Sequence, residues 1–150
     1  MKLVRSFVLM AALFLIPGLA FAGTTLHSMV AVQGYDVVTY QTDGKPQQGN
    51  GNHLTTYNGV TYIFVNEANK KRFESNPEKY APVYGGYCAY GVAVGKKFVG
   101  DPEIWEVVDG KLYLNLDNKI KGIWVKDISG HIKSADKNWK KIKHKNPEDL

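Results

Sequence analysis

A small single α+β domain is the fold class this sequence predicts. Two Asx-Gly turns, Asn58-Gly59 and Asp109-Gly110, each lie between stretches rich in β-branched and aromatic residues, and short helical stretches with capping residues follow them. The expected architecture is two antiparallel hairpins forming one sheet, packed by four short helices.

Taken in order, Val30 to Tyr40 is rich in Val, Thr and Tyr and predicts a strand bent at Gly34, ending at Thr42-Asp43-Gly44-Lys45-Pro46. His53 to Val65 predicts the first hairpin, because Asn-Gly accepts the positive φ angles of a two-residue turn. Asn66 then caps a helix ending near Ser75, with Glu67 at its positive end and Phe73 on the buried side. Asn76-Pro77 restarts a single helical turn, since proline at the first helical position loses no hydrogen bond, and Pro82 ends it. Gly85-Gly86 permits a sharp turn, and residues 87–94 predict a short helix with Cys88 in its first turn and Gly95 as its stop.

Trp105 to Val108 and Lys111 to Asn115 form the second hairpin. Asp117 caps a helix over 117–126 presenting Ile120, Ile123 and Trp124, and Ser129 caps another over 130–142 presenting Ile132, Ala135, Trp139 and Ile142 at helical spacing. Residues 146–150 read as a polar, disordered tail. No internal repeat is expected beyond the two hairpin signals, and nothing in the composition marks a linker.

The first residues read as a secretory signal peptide. Lys2 and Arg5 precede an apolar run from Phe7 to Ile16, too short to span a bilayer, and Ala20-Phe21-Ala22 is a small-x-small cleavage triplet. Cleavage after Ala22 leaves a domain over 23–145 with no stable membrane anchor, placed in the periplasm or secreted. It also lowers the formal charge from +5 to about +3, and most of the remaining excess sits in lysines from Lys133 to Lys145, the expected face of a solvated last helix. Export and this modest charge argue against nucleic acid as a partner.

Cys88 is the one cysteine. Exported chains usually pair their cysteines or dispense with them, so a single thiol in Tyr84-Gly85-Gly86-Tyr87-Cys88 is the candidate centre of chemistry. Helix N–H groups in a first turn, with Lys96 and Lys97 nearby, would favour thiolate; burial among Tyr84, Tyr87 and Tyr90 would make it inert. Without a second cysteine no dithiol cycle is available, so a small thiol or a partner protein would have to resolve an oxidised form.

Tyr57-Asn58-Gly59-Val60-Thr61-Tyr62-Ile63-Phe64, then Lys71-Arg72-Phe73 and Asn76-Pro77-Glu78-Lys79-Tyr80, resemble the YHS domain. The continuation through Tyr84 to Ala89, Gly100-Asp101-Pro102, Trp105 and Asp109 to Asn115 is similar to exported bacterial YHS-domain proteins, some described as selenoproteins. The resemblance implies a metal-handling module in which two cysteines serve as ligands. Those positions are Val65 and Asn69 here, and neither supplies the thiolate that a soft ion such as Cu(I) selects. The resemblance also implies that Cys88 is where a selenocysteine variant falls, which points to nucleophilic or ligand chemistry at that sulfur.

A soft transition metal, copper or zinc, would need further ligands: His53 is the favoured candidate, with His27, Met29 and His131 behind it. Tyr35 and Asp36, with Tyr84 and Tyr87, are candidates to line a polar aromatic pocket, although Asp36 equally suits the bracing of a turn. Asp101-Pro102-Glu103 reads as a turn, and Trp105, Trp124 and Trp139 read as core. Two functions stay open: a module whose Cys88 sulfur takes a soft metal or undergoes reversible oxidation, and a non-catalytic periplasmic interaction module with Cys88 buried. Whether the chain is an enzyme is undecided by its sequence.

Overall fold

The computed structural model describes residues 28–150. The leader read at 1–22 and His27 lie outside the described residues. Ten regular elements follow: α1 (Thr39–Thr42), β1 (Asn50–Tyr57), β2 (Val60–Phe64), α2 (Glu67–Ser75), α3 (Pro77–Tyr80), α4 (Ala89–Ala93), β3 (Asp101–Val108), β4 (Lys111–Asn115), α5 (Asn118–Trp124) and α6 (Ile128–Ile142). The class is α+β as expected. The hairpins, however, do not join: β1 pairs with β2 and β3 with β4 in two separate two-stranded antiparallel sheets.

The caps form as the residue types dictate. Asn66 accepts from Asn69 N at 2.9 Å, Asn76 from Lys79 N at 3.3 Å, and Asp117 from Ile120 N at 2.7 Å. The last helix begins earlier than expected, because Asp127 rather than Ser129 caps it, accepting from Gly130 N at 2.9 Å. A short 3-10 turn at Pro147–Asp149 follows it, and Leu150 packs on the core instead of trailing free.

The largest departure is at Val30 to Tyr40, which is not a strand. Val30 and Tyr35 make single bridges, and between them Val32, Gln33 and Gly34 take φ of 47°, 51° and 87°. Left-handed backbone at a valine is sterically costly, so surrounding structure must hold it there. Tyr35 N closes the turn on Val32 O at 2.9 Å, and the bonds to the next loop, Gly49 N to Gly34 O at 2.8 Å and Asp36 N to Gln47 O at 2.9 Å, override the β-propensity of the segment.

That loop reveals a repeat. Tyr84, Gly85 and Gly86 take φ of 56°, 64° and 84°, Tyr87 bridges Val99 as Tyr35 bridges Gln48, and Gly100 N donates to Gly86 O as Gly49 N does to Gly34 O. Each hairpin then slips register after its first pair, Asn50 with Phe64 and Asp101 with Asn115, before Leu54 meets Ile63 and Trp105 meets Leu114. Each ends in a capped helix that buries one aromatic fully, Phe73 in α2 and Trp124 in α5. The chain is therefore two copies of a loop, short helix, hairpin and helix, a repetition the residues hardly show.

Two cores result. Val37, Val38, Tyr40, Phe64 and Phe73 make the first, to which β4 contributes Leu112 and Leu114; Tyr84, Val92, Trp124 and Ala135 make the second, to which β4 contributes Tyr113 from its other face. Strand β4 is thus buried on both sides and joins the copies. Lys97, itself buried, donates to the carbonyls of Lys143 and Lys145 at 2.9 and 2.6 Å and caps the C-terminal end of α6.

Candidate functional site

Asp36 and Cys88 are counterparts. Each follows a left-handed loop and precedes a short helix, and each backbone N–H donates to the loop ahead of the next strand: Asp36 N to Gln47 O at 2.9 Å, Cys88 N to Phe98 O at 2.8 Å. Cys88 is the residue before α4 and caps it, with Gly91 N donating to Sγ at 3.3 Å; it is not in the first turn.

Asp36 is fully buried, and its carboxylate is saturated. Oδ1 accepts from Val38 N at 2.9 Å, and Oδ2 accepts from Val65 N at 2.9 Å and Asn69 Nδ2 at 2.8 Å. The two positions that hold cysteines in the metal-handling domains this chain resembles are spent here on holding Asp36. Asp36 braces the first copy.

Cys88 is 1% exposed. Burial pushes its thiol up from the ordinary value, while N–H groups of Gly91, Leu116 and Tyr90 aimed at the sulfur pull it back, and the charge of Asp117 adds a further upward push. The upward shift prevails, so the group rests as a thiol, with Sγ 3.7 Å from Asn115 Oδ1. Lys97 is turned away to α6 and lends the sulfur no charge-assisted bond.

The metal candidates do not meet. His53 lies 3.4 Å from Glu67 at the far edge of the first hairpin, His131 Nδ1 is 2.9 Å from Trp124 O, and Met29 is exposed. Among the described residues no three His, Cys, Asp or Glu side chains converge on one point. The Cys88 sulfur accepts from Gly91 N and lies beside the Asn115 carboxamide, a setting that offers no second soft ligand, so the described residues do not fit a metal centre.

The aromatic candidates separate as well. Tyr84 is buried, donates to Asp136 Oδ1 at 2.9 Å and packs on Tyr113 and Trp139; burial first, then Asp136, pushes its phenol far up. Tyr35 bonds to Glu103, whose negative charge raises its phenol. Tyr87 lines a cleft of about 410 Å³ between the two left-handed loops. Val30, Val32 and Val60 from the first copy face Gly86, Tyr87 and Val99 from the second, and among the described residues no charged side chain lines it. Gln33 ties the loops together by donating to Gly100 O at 3.2 Å. Nothing in the sequence signals this cleft, because it exists only where the two copies meet.

Residues 38–84 match the family model of the YHS domain, a segment that starts after Asp36 and ends before Cys88. No curated protein and no solved structure matches the chain.

Proposed function

We propose that this chain, which carries a YHS domain at residues 38–84, is an exported, non-catalytic binding module that takes a neutral, mainly apolar group in the cleft between its two copies. YHS domains are associated with possible metal binding; here the family's ligand positions hold a buried carboxylate instead. The observation that carries the reading is the contrast between the thiol and the cleft. The thiol is sealed, whereas the cleft is open, apolar and framed by backbone held in a costly conformation at Val32, Gln33 and Tyr84.

A cleft of this size suits a small ligand or one large apolar side chain of a periplasmic protein. Burying roughly 200 Å² of apolar ligand surface at ~25 cal/mol/Å² gives about 5 kcal/mol, a dissociation constant on the order of 10⁻⁴ M. The test is fluorescence titration with a neutral apolar probe, N-phenyl-1-naphthylamine, on wild type and Val99→Glu. Val99 is 65% exposed on the rim, so this change leaves the core intact. Saturable enhancement that Val99→Glu abolishes supports the reading. Absence of saturation, or equal binding by the variant, overturns it.

A further inference from the structure

The copies hold different groups in matching wells. In the first, two backbone N–H groups and one carboxamide, Val38 N, Val65 N and Asn69 Nδ2, converge on the carboxylate of Asp36. In the second, Gly91 N donates to Cys88 Sγ at 3.3 Å, the carboxamide of Asn115 lies beside that sulfur with Oδ1 at 3.7 Å, and Tyr90 N donates to the same Oδ1 at 3.4 Å. A thiol satisfies this set poorly. It donates its S–H to Asn115 Oδ1, while Asn115 Nδ2, on a side chain with no exposed surface, has no partner. A buried N–H₂ without an acceptor costs about 1–3 kcal/mol.

We propose that Cys88 is a site of oxidation to cysteine sulfinate, whose two oxygens fill the second well as the carboxylate oxygens of Asp36 fill the first. Sulfinate is the near-isostere of a carboxylate, with Sγ in place of the carboxyl carbon. A half-turn of the Asn115 amide presents Nδ2 to the new oxygens, and the Tyr90 N–H, now 3.4 Å from Oδ1, passes to them. The oxidant is a hydroperoxide. The thiol gives up its proton, the resulting thiolate attacks one oxygen of hydrogen peroxide, an S–O bond forms as the O–O bond breaks, and the departing hydroxide takes up a proton and leaves as water, giving sulfenic acid. With no second cysteine in the chain to condense with, the sulfenic acid repeats the step on a second peroxide. Each peroxide takes two electrons from sulfur, and the sulfinic acid releases its proton to become the anion. Cys88 is 1% exposed, so a small peroxide reaches the sulfur only when its cover opens, and Phe98, 46% exposed and packed on Gly91, is the side chain proposed to move aside.

The test treats the folded full chain with hydrogen peroxide, follows Cys88 by tandem mass spectrometry, separately from the exposed Met29, and compares Tm before and after. The expected result is a gain of about 32 Da on Cys88 that stops there, with Tm unchanged or raised. Failure of Cys88 to oxidise while Met29 does, passage to the sulfonate, or a fall in Tm on oxidation overturns the proposal. In parallel, Cys88→Asp is expected to show a Tm at least equal to that of Cys88→Ala; a lower Tm, or failure to fold when Cys88→Ala folds, also overturns it. None of these outcomes depends on whether the cleft binds a ligand.

Discussion

Replacing Asp36 by alanine strips one carboxylate from three donors at once. Val38 N, Val65 N and Asn69 Nδ2 all lose their acceptor, in a position with no exposed surface where water cannot replace it. Each abandoned donor costs about 1–1.5 kcal/mol net, so Asp36→Ala should lose about 3–5 kcal/mol. Against a total stability of about 5–15 kcal/mol this is a large fraction, and it corresponds to a fall in Tm of roughly 10–15 °C. Urea titration followed by tryptophan fluorescence reads it directly: the midpoint should drop at unchanged slope. Asp36→Cys places in the first well the group that fills the second, and should cost less than Asp36→Ala. A loss below about 1 kcal/mol for Asp36→Ala would show that the three bonds do not brace the fold and that matching the two wells is mistaken.

A bulky thiol reagent should modify Cys88 only at the rate of unfolding, measured by absorbance with and without denaturant, because the sulfur is sealed. Reaction as fast as with a free thiol would contradict that burial. Lys97→Met should cost about 2–3 kcal/mol and speed amide exchange at Lys143 and Lys145, whose carbonyls lose their cation. The phenols of Tyr84, Tyr40, Tyr113 and Tyr62 are raised above 10.0, mainly by burial. Above that value the unfolded chain sheds protons the folded chain keeps, so stability holds below it and falls as pH rises beyond it. Urea midpoints across about pH 8 to 11 should show the loss, with a smaller slope in Tyr84→Phe.

Local signals wrote themselves into the sequence where a short stretch of chain settles the outcome. Asn58-Gly59 and Asp109-Gly110 need only their own φ angles to make hairpins, and Asn66, Asn76 and Asp117 cap helices by accepting from the N–H three residues on. Val30 to Tyr40 was misleading for the opposite reason. Its residues favour a strand, and bonds to Gly49 and Gln47, distant in sequence, impose the left-handed loop. Tyr84, a pocket candidate by residue type, became a core pin because α6 brings Asp136 to its hydroxyl.

The site followed the same division. That Cys88 stands alone, and that Val65 and Asn69 lack the thiolates of a metal-handling relative, is legible residue by residue. That those two positions serve Asp36, that Cys88 occupies the counterpart of Asp36, and that a cleft opens between the copies was decided only by the tertiary structure. The physical reason is that the repeat is kept in backbone hydrogen bonds and burial, which many residues can supply, and hardly at all in the residues themselves.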